Sequence, residues 1–264
     1  MYDFNYVRPA SLADAAKALA GKADAKIVAG GQTLLPTMKQ RLAQPSDLVD
    51  LGAVAELKGI KTEGNALVIG AMTTHAEVAK SSAVKSAIPA LAALAEGIGD
   101  PQVRNRGTIG GSISNADPAA DYPAGLVGLG ATVVTNKRKI AADDFFKGLF
   151  ETALAADEIV TAVSFPKPDK AAYAKFPQPA SRFAMVGVFV SKSGSNVRVA
   201  VTGAGPKVFR QAEMEKALAA SFSPDAIKNV KVSASGLNSD IHGSAEYRAH
   251  LVGVMARRAV AAAG

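Results

Sequence analysis

Lys26-Ile27-Val28-Ala29-Gly30-Gly31-Gln32-Thr33-Leu34-Leu35-Pro36 is the stretch on which the fold turns. A short apolar run ends on two glycines, and a threonine then opens a helical segment, Leu34 to Gln40, that tolerates Pro36 in its first turn. Paired glycines permit positive φ and let bare backbone N–H groups point into one concavity. A neighbouring hydroxyl adds a donor, which suits phosphate oxygens. The helix start adds roughly half a positive charge from its dipole. The same chemistry recurs about eighty residues later as Thr108-Ile109-Gly110-Gly111-Ser112. Either pair alone reads as readily as a tight turn at a strand end. Together they suggest two nests holding one diphosphate, with a dinucleotide across the junction of two sub-domains. Neither fits the G-x-G-x-x-G fingerprint or the P-loop spacing.

Outward from these turns, the pattern gives a chain of mixed elements. Before the first turn there is a strand-poor opening and a helix Leu12 to Ala20, capped by Ser11 and closed by Gly21. After it, Asp47 to Leu51 and Ala66 to Gly70 read as strands. Thr74 caps a helix His75 to Lys80, and Ser86 to Ala95 reads as one apolar helix. Ser112-Ile113-Ser114 alternates like a strand. Ala131 to Thr135 and Lys139 to Ala141 flank a basic hairpin tip, and Glu158 to Phe165 is a further strand. Pro166, Pro168, Pro177 and Pro179 crowd a stretch that reads as a linker. Beyond it, Phe183 to Ser191 and Val197 to Gly203 form a β-branched hairpin. Helices Ala212 to Ala219 and Glu246 to Ala263 follow, the last with Arg248, Arg257 and Arg258 on its polar side.

Composition narrows the chemistry. The 264 residues are 48% hydrophobic and 20% charged, enough for a packed core of two sub-domains. With no Cys, the chain holds no disulfide, thiolate metal site, Cys-ligated cluster or cysteine nucleophile, so redox chemistry needs a borrowed cofactor. The longest apolar runs fall short of the roughly 20 residues that span a bilayer, and the N-terminus does not read as a signal peptide, so a cytoplasmic protein is expected. The formal charge is +7, but the lack of Trp and the few aromatics weigh against nucleic acid. A basic face toward an acidic partner subunit or an anionic cofactor explains the surplus as well. Asp117 reads as an N-cap before Pro118, and Asp121 follows one turn on as a carboxylate able to accept from ribose hydroxyls or a ring N–H. His75, His242 and His250 are far apart and read as surface or capping residues. No H-E-x-x-H or G-x-S-x-G occurs.

Five ordered motifs carry a resemblance that runs over essentially the whole chain. They are Ala29 to Pro36 with Met38-Lys39, Ile69 to His75, Val103 to Ser112, Ala116 to Asp121, and Phe183 to Val188. The chain resembles the FAD-binding medium subunit of the molybdenum hydroxylases, the xanthine dehydrogenase and carbon monoxide dehydrogenase group. The resemblance implies an α+β architecture: a two-subdomain FAD-binding fold of the vanillyl-alcohol-oxidase type, then a small α+β domain with an antiparallel sheet. The divisions expected are 1–55, 56–170 and 171–264. It implies that Ala29, Gly30, Gly31, Gln32 and Thr33, with Leu34, and Thr108, Ile109, Gly110 and Gly111 hold the diphosphate. Asn115 and Asp117 join the cofactor site, and Asp121 contacts the flavin or its ribityl chain. Val160 offers backbone to the ring, and Lys175 lies near its pyrimidine edge, unless it is an exposed loop lysine. Phe183 stands where the carbon monoxide enzyme has Tyr, so it can cover the ring but donate no hydrogen bond. No residue is implied as a catalytic acid or base.

The resemblance also implies partners: a large subunit with molybdopterin, expected as the cytosine dinucleotide, and a small subunit with two [2Fe–2S] clusters. The assembly would be a heterotrimer, single or doubled. A chain without Cys can only be the flavin part of such a relay, passing electrons to an external acceptor. Two rival readings remain: a self-contained flavin oxidase of the same fold, with Tyr122 as the nearby candidate base, and an anion-binding module that docks nucleic acid. Bulky residues at both Gly30 and Gly110 are expected to abolish flavin retention and leave the chain folded.

Overall fold

A computed structural model describes residues 1–264. The chain opens with a three-stranded parallel sheet, β1 (Asn5–Val7), β2 (Lys26–Val28) and β3 (Asp47–Asp50), in the order β1-β3-β2. β1 is one short strand in the opening that reads as strand-poor. Asn5-Tyr6-Val7 is too short and exposed to show a pattern, and its pairing with Leu48 and Val49 makes it a strand. Helix α1 (Leu12–Leu19) is capped as expected, the Ser11 side chain accepting from the Asp14 amide. Helix α2 (Leu34–Lys39) forms, but the Thr33 side chain makes no cap bond to it.

A second, antiparallel sheet follows. β4 (Ile60–Glu63) and β5 (Ala66–Gly70) form a hairpin, as do β6 (Thr132–Thr135) and β7 (Lys139–Ala141). A small outlying hairpin, β8 (Phe146–Gly148) and β9 (Glu151–Thr152), precedes β10 (Val160–Pro166), which inserts centrally to give the order β4-β5-β10-β6-β7. Between the hairpins runs a helical layer, α3 (His75–Lys80), α4 (Ser82–Ala87), α5 (Pro89–Glu96), α6 (Pro101–Arg106), α7 (Ile109–Asn115) and α8 (Tyr122–Leu129), with a short α9 (Ala142–Phe145) after β7. Thr74 and Glu77 form a full capping box at α3. The single helix expected over Ser86 to Ala95 is two, because Ile88 turns extended ahead of Pro89, which starts α5.

Ser112-Ile113-Ser114 is helical, not a strand. Thr108 caps α7 by accepting from the Gly111 amide, and three alternating residues are too few to separate a period of 2 from one of 3.6. Nor does Asp117 cap a helix. It opens a turn, its Oδ1 accepting from the Ala119 amide at 2.9 Å, and α8 begins only after Asp121.

The third sheet is an antiparallel meander, β11 (Lys170–Pro177), β12 (Ala184–Ser193), β13 (Asn196–Thr202) and β14 (Phe209–Arg210). The proline-rich stretch read as a linker is largely β11; only residues 167–169 stand between sheets, and the prolines close strands at 166 and 177. One face of this sheet packs Val186, Val188, Val190, Val199 and Val201 against α10 (Ala212–Ala220) and α11 (Ala245–Ala263). The other face sends Phe189 into the helical core, over Gly128 of α8. A strand covered on both sides reads as an unbroken apolar run, and Ala184 to Ser191 is buried throughout. Arg248 does not lie on the polar side of α11. It is buried, donating to the Met185 and Gly203 carbonyls and pairing with Asp240.

Candidate functional site

The two glycine turns meet at one wall of a cavity of about 540 Å³, in the range of small-molecule sites. The tip of the third sheet closes it from the other side. At the first turn the four successive amides of Gly30, Gly31, Gln32 and Thr33 donate to no group of the chain. Gly31 takes φ +72°, which helps the backbone curl so that these donors share one concavity. Four free donors in one concavity suit an anion, and they are all backbone.

The second turn differs. The Ile109 amide donates to Thr73 O, the Gly110 amide to Ala71 O, the Gly111 amide to Thr108 Oγ1 and the Ser112 amide to Thr108 O. Its glycines therefore do not form a second nest of free amides. They permit close approach. A Cβ on Gly110 would stand 2.6 Å from the Ala71 Cβ, and one on Gly111 would crowd the Thr108 Oγ1 at 3.0 Å. Gly30 completes the clasp, since its Cβ would lie 2.2 Å from Arg106 O. What the second turn offers the cavity is hydroxyls and an amide side chain, from Thr108, Ser112, Ser114 and Asn115.

Ala116, at φ +48°, ends α7 in the left-handed region and swings the chain toward the cavity floor. The turn from Asp117 to Asp121 is pinned to the third sheet, with Thr202 Oγ1 donating to the Pro118 and Ala120 carbonyls. Burial pushes the Asp117 carboxyl above its ordinary range. Asp121 is 4% exposed, and both carboxylate oxygens are taken: Oδ1 accepts from the Tyr173 hydroxyl, and Oδ2 from Lys175 Nζ at 2.9 Å. Burial drives this carboxyl upward, against the Lys175 cation and the Tyr173 hydrogen bond. Lys175 is no exposed loop lysine. It sits in β11, also donates to Gly97 O at 3.0 Å, and lies behind Asp121 without lining the cavity.

Of the residues singled out from sequence, Ala29 to Leu34, Thr108, Gly110, Gly111, Asn115, Asp117, Asp121, Val160 and Phe183 line the one cavity. Ile109 does not; its side chain is in the hydrophobic core. Several lining residues escaped the sequence reading, among them Met72, His75, Phe150, Glu158 and Arg182. Phe150 and Arg182 both hold positive φ, +55° and +61°, on tight turns at the rim, and Phe150 and Phe183 stay half-exposed there. The Glu158 carboxyl is held down to about 2, chiefly by the Arg138 guanidinium, which clamps the β6–β7 tip to it.

His75 is neither a surface nor a capping residue. It is buried, with its ring 5.3 Å from that of Tyr122, and burial with Arg104 nearby lowers its pKa to about 4. Tyr122 is wholly enclosed and does not line the cavity. Its place as the first residue of α3 is legible in sequence from the Thr74 cap; that the Gly107 carbonyl accepts its amide and that the ring is enclosed only the structure shows. No group of three acidic or histidine side chains is arranged to hold a metal ion. The free amides at 30–33 fit a diphosphate. The rim aromatics fit a flat ring, and the Asp121 pair offers polar contact beside it, so the residues present fit a flavin dinucleotide.

Residues 2–168 match the family described as the FAD binding domain in molybdopterin dehydrogenase, and residues 171–263 match the CO dehydrogenase flavoprotein C-terminal domain. The chain is 42% identical to the nicotine 6-hydroxylase medium subunit of Paenarthrobacter nicotinovorans, over 98% of this chain and 96% of that one. It is 37% identical to the carbon monoxide dehydrogenase medium chain of Hydrogenophaga pseudoflava, with the same coverage. Among solved structures it is similar to reconstituted CO dehydrogenase from Oligotropha carboxidovorans, with a TM-score of 0.90 and 35% identity over 99% of this chain and 98% of that one. Quinoline 2-oxidoreductase from Pseudomonas putida 86 aligns with a TM-score of 0.89 and 31% identity, over 99% and 97%.

Proposed function

The chain belongs to the family of FAD-binding medium subunits of molybdenum-containing dehydrogenases, and from that premise we propose that it is the electron-transfer subunit of such an oxidoreductase. In this reading, electrons enter from [2Fe–2S] clusters of a small partner subunit and leave through FAD to an external acceptor. Substrate is hydroxylated at a molybdopterin centre, of the cytosine dinucleotide form, on a large partner subunit. The assembly is a cytoplasmic heterotrimer, and the chain divides at 55/56 and 170/171.

FAD, when bound, supplies the two-electron carrier; the chain binds and tunes it. The observation that carries the reading is the run of four unpartnered amides from Gly30 to Thr33, at the end of a cavity large enough for a small-molecule ligand. These amides would hold diphosphate oxygens, with the Thr108 and Ser112 hydroxyls facing them from the second turn. Val160, Phe183 and Phe150 would border the ring, while Asp121 meets its polar edge. The oxidase alternative needs a base with a pKa near the working pH. His75 does line the cavity, but a pKa of about 4 makes it a poor one.

The test is the visible spectrum of the chain after FAD is added and the excess removed, followed by mixing with the co-expressed partner subunits. One flavin per chain, reduced only when partners and their substrate are present, is the expected result. Reduction of the isolated chain by a small substrate would favour the oxidase. Absence of flavin would sink both.

A further inference from the structure

Behind the cavity wall lies a polar cluster that the reading above leaves without a part. Tyr173 and Lys175 are two residues apart on β11, so they share one face of the strand. Both converge on Asp121, at the start of α8, and neither lines the cavity. Tyr173 is deeply placed: its ring stacks on Phe189 at 6.2 Å, and burial together with the Asp121 charge raises its hydroxyl pKa well above the ordinary value. The hydroxyl fits because residue 187, on the facing strand β12, is glycine. A Cβ there would stand 2.2 Å from the Tyr173 oxygen. The packing thus leaves room for one phenolic O–H against one carboxylate, in an interior where an unsatisfied polar group is costly.

We propose that Tyr173 is a positioning residue for the cofactor site: its hydroxyl, lodged in the space left by Gly187, holds the Asp121 carboxylate ionised and turned against Lys175, and so sets the charge that a bound ring meets. The arrangement is a buried anion with two donors, one charged and one neutral. With both in place the Asp121–Lys175 pair is electrically balanced. Without the neutral donor, burial favours a protonated Asp121, and Lys175 is left uncompensated behind the cavity wall, where its charge still reaches a bound ring. A more positive surrounding stabilises electrons added to the ring. Tyr173 therefore acts through Asp121 and need not touch the cofactor.

The inference rests on the FAD reading, and the test separates the two. Tyr173→Phe removes one oxygen and keeps the ring stacked on Phe189. The full chain, Tyr173→Phe, Asp121→Asn and the double variant are loaded with FAD, and each flavin midpoint potential is read by equilibration with a reference dye. The expected result is a positive shift in Tyr173→Phe, a positive shift in Asp121→Asn, and no further shift in the double variant. An unchanged potential in Tyr173→Phe beside a shifted Asp121→Asn overturns the inference and leaves the FAD reading standing. A parent chain that takes up no FAD overturns both. If Tyr173→Phe does not fold, the coupling is read in the parent chain. There the Tyr173 hydroxyl proton resonance should move when the bound flavin is reduced, and a fixed resonance overturns the proposal.

Discussion

Gly30 and Gly110 hold the two turns together as much as they face a ligand. A side chain at Gly30 meets the Arg106 carbonyl and one at Gly110 meets the Ala71 backbone, neither of which can swing aside. The structure thus revises the expectation that bulky residues there would remove flavin from an intact fold. Overpacking of this kind costs about 1–3 kcal/mol or more. Gly30→Val should lower the melting temperature of the ligand-free chain by about 2–4 °C per kcal/mol lost, as calorimetry without FAD will show. His75 makes a different prediction. Its pKa is about 4 in the folded chain against 6.5 when free, so between those values the unfolded state binds the extra proton and stability falls as pH falls. The full effect is of order 3 kcal/mol, present above pH 6.5 and gone below 4. Urea midpoints of the parent and of His75→Gln, taken at pH 7 and pH 5, should differ in slope, the variant losing less on acidification. Equal losses would mean that His75 is not held neutral.

At the scale of elements, α7 joins the cavity to the core, and its start depends on one cap. Thr108→Ala removes the acceptor of the Gly111 amide and should cost about 1 kcal/mol. Thr108→Ser should restore it, as thermal melts of the two variants will show. The same helix marks where the sequence stops being legible. Capped helices with clear punctuation, α1 at Ser11 and α3 at Thr74, are plain from residue types, as is the β12–β13 hairpin with its valine runs. α7 is not, because two glycines lower helix propensity, and the reason for Gly110 lies in Ala71, about forty residues away. Pro89 could have divided α4 from α5 at the outset, being a helix-starting residue. Gly30-Gly31 alone reads equally as a tight turn, and only the structure shows that its amides stay free. That the second turn's amides are engaged internally was not readable either, since nothing in Thr108 to Ser112 shows that Thr73 and Ala71 accept from it. Phe150 and Arg182 were hidden for a similar reason: their positive φ carries no glycine to announce it.

Over the whole molecule the charge is unevenly placed. Residues 1–170 hold 18 Lys or Arg and 18 Asp or Glu, while residues 171–264 hold 12 against 5. The entire surplus of +7 thus belongs to the C-terminal part. The free donors of the first glycine turn are uncharged amides, while Lys26 and Arg182 line the same cavity. If the amides carry the affinity, binding there should weaken only slightly with salt, whereas contacts made by the exposed basic residues of the C-terminal part should weaken more. FAD titrations at low and high ionic strength will give near-equal dissociation constants if this is right. A dissociation constant that rises steeply with salt would mean that Lys26 and Arg182, and not the amides, carry the affinity.

The sheet of the C-terminal part is covered by α10 and α11 on one side and by α8 on the other, and Ser191, Arg198 and Thr202 satisfy carbonyls of the preceding part at Gly128, Val127, Pro118 and Ala120. Neither part can therefore melt without exposing the interior of its neighbour and orphaning those carbonyls. Two regions that match separate family descriptions are bound into a single cooperative unit. Heating should give one endotherm, with calorimetric and van't Hoff enthalpies in agreement, and cutting the chain near residue 168 should leave fragments that find each other or precipitate.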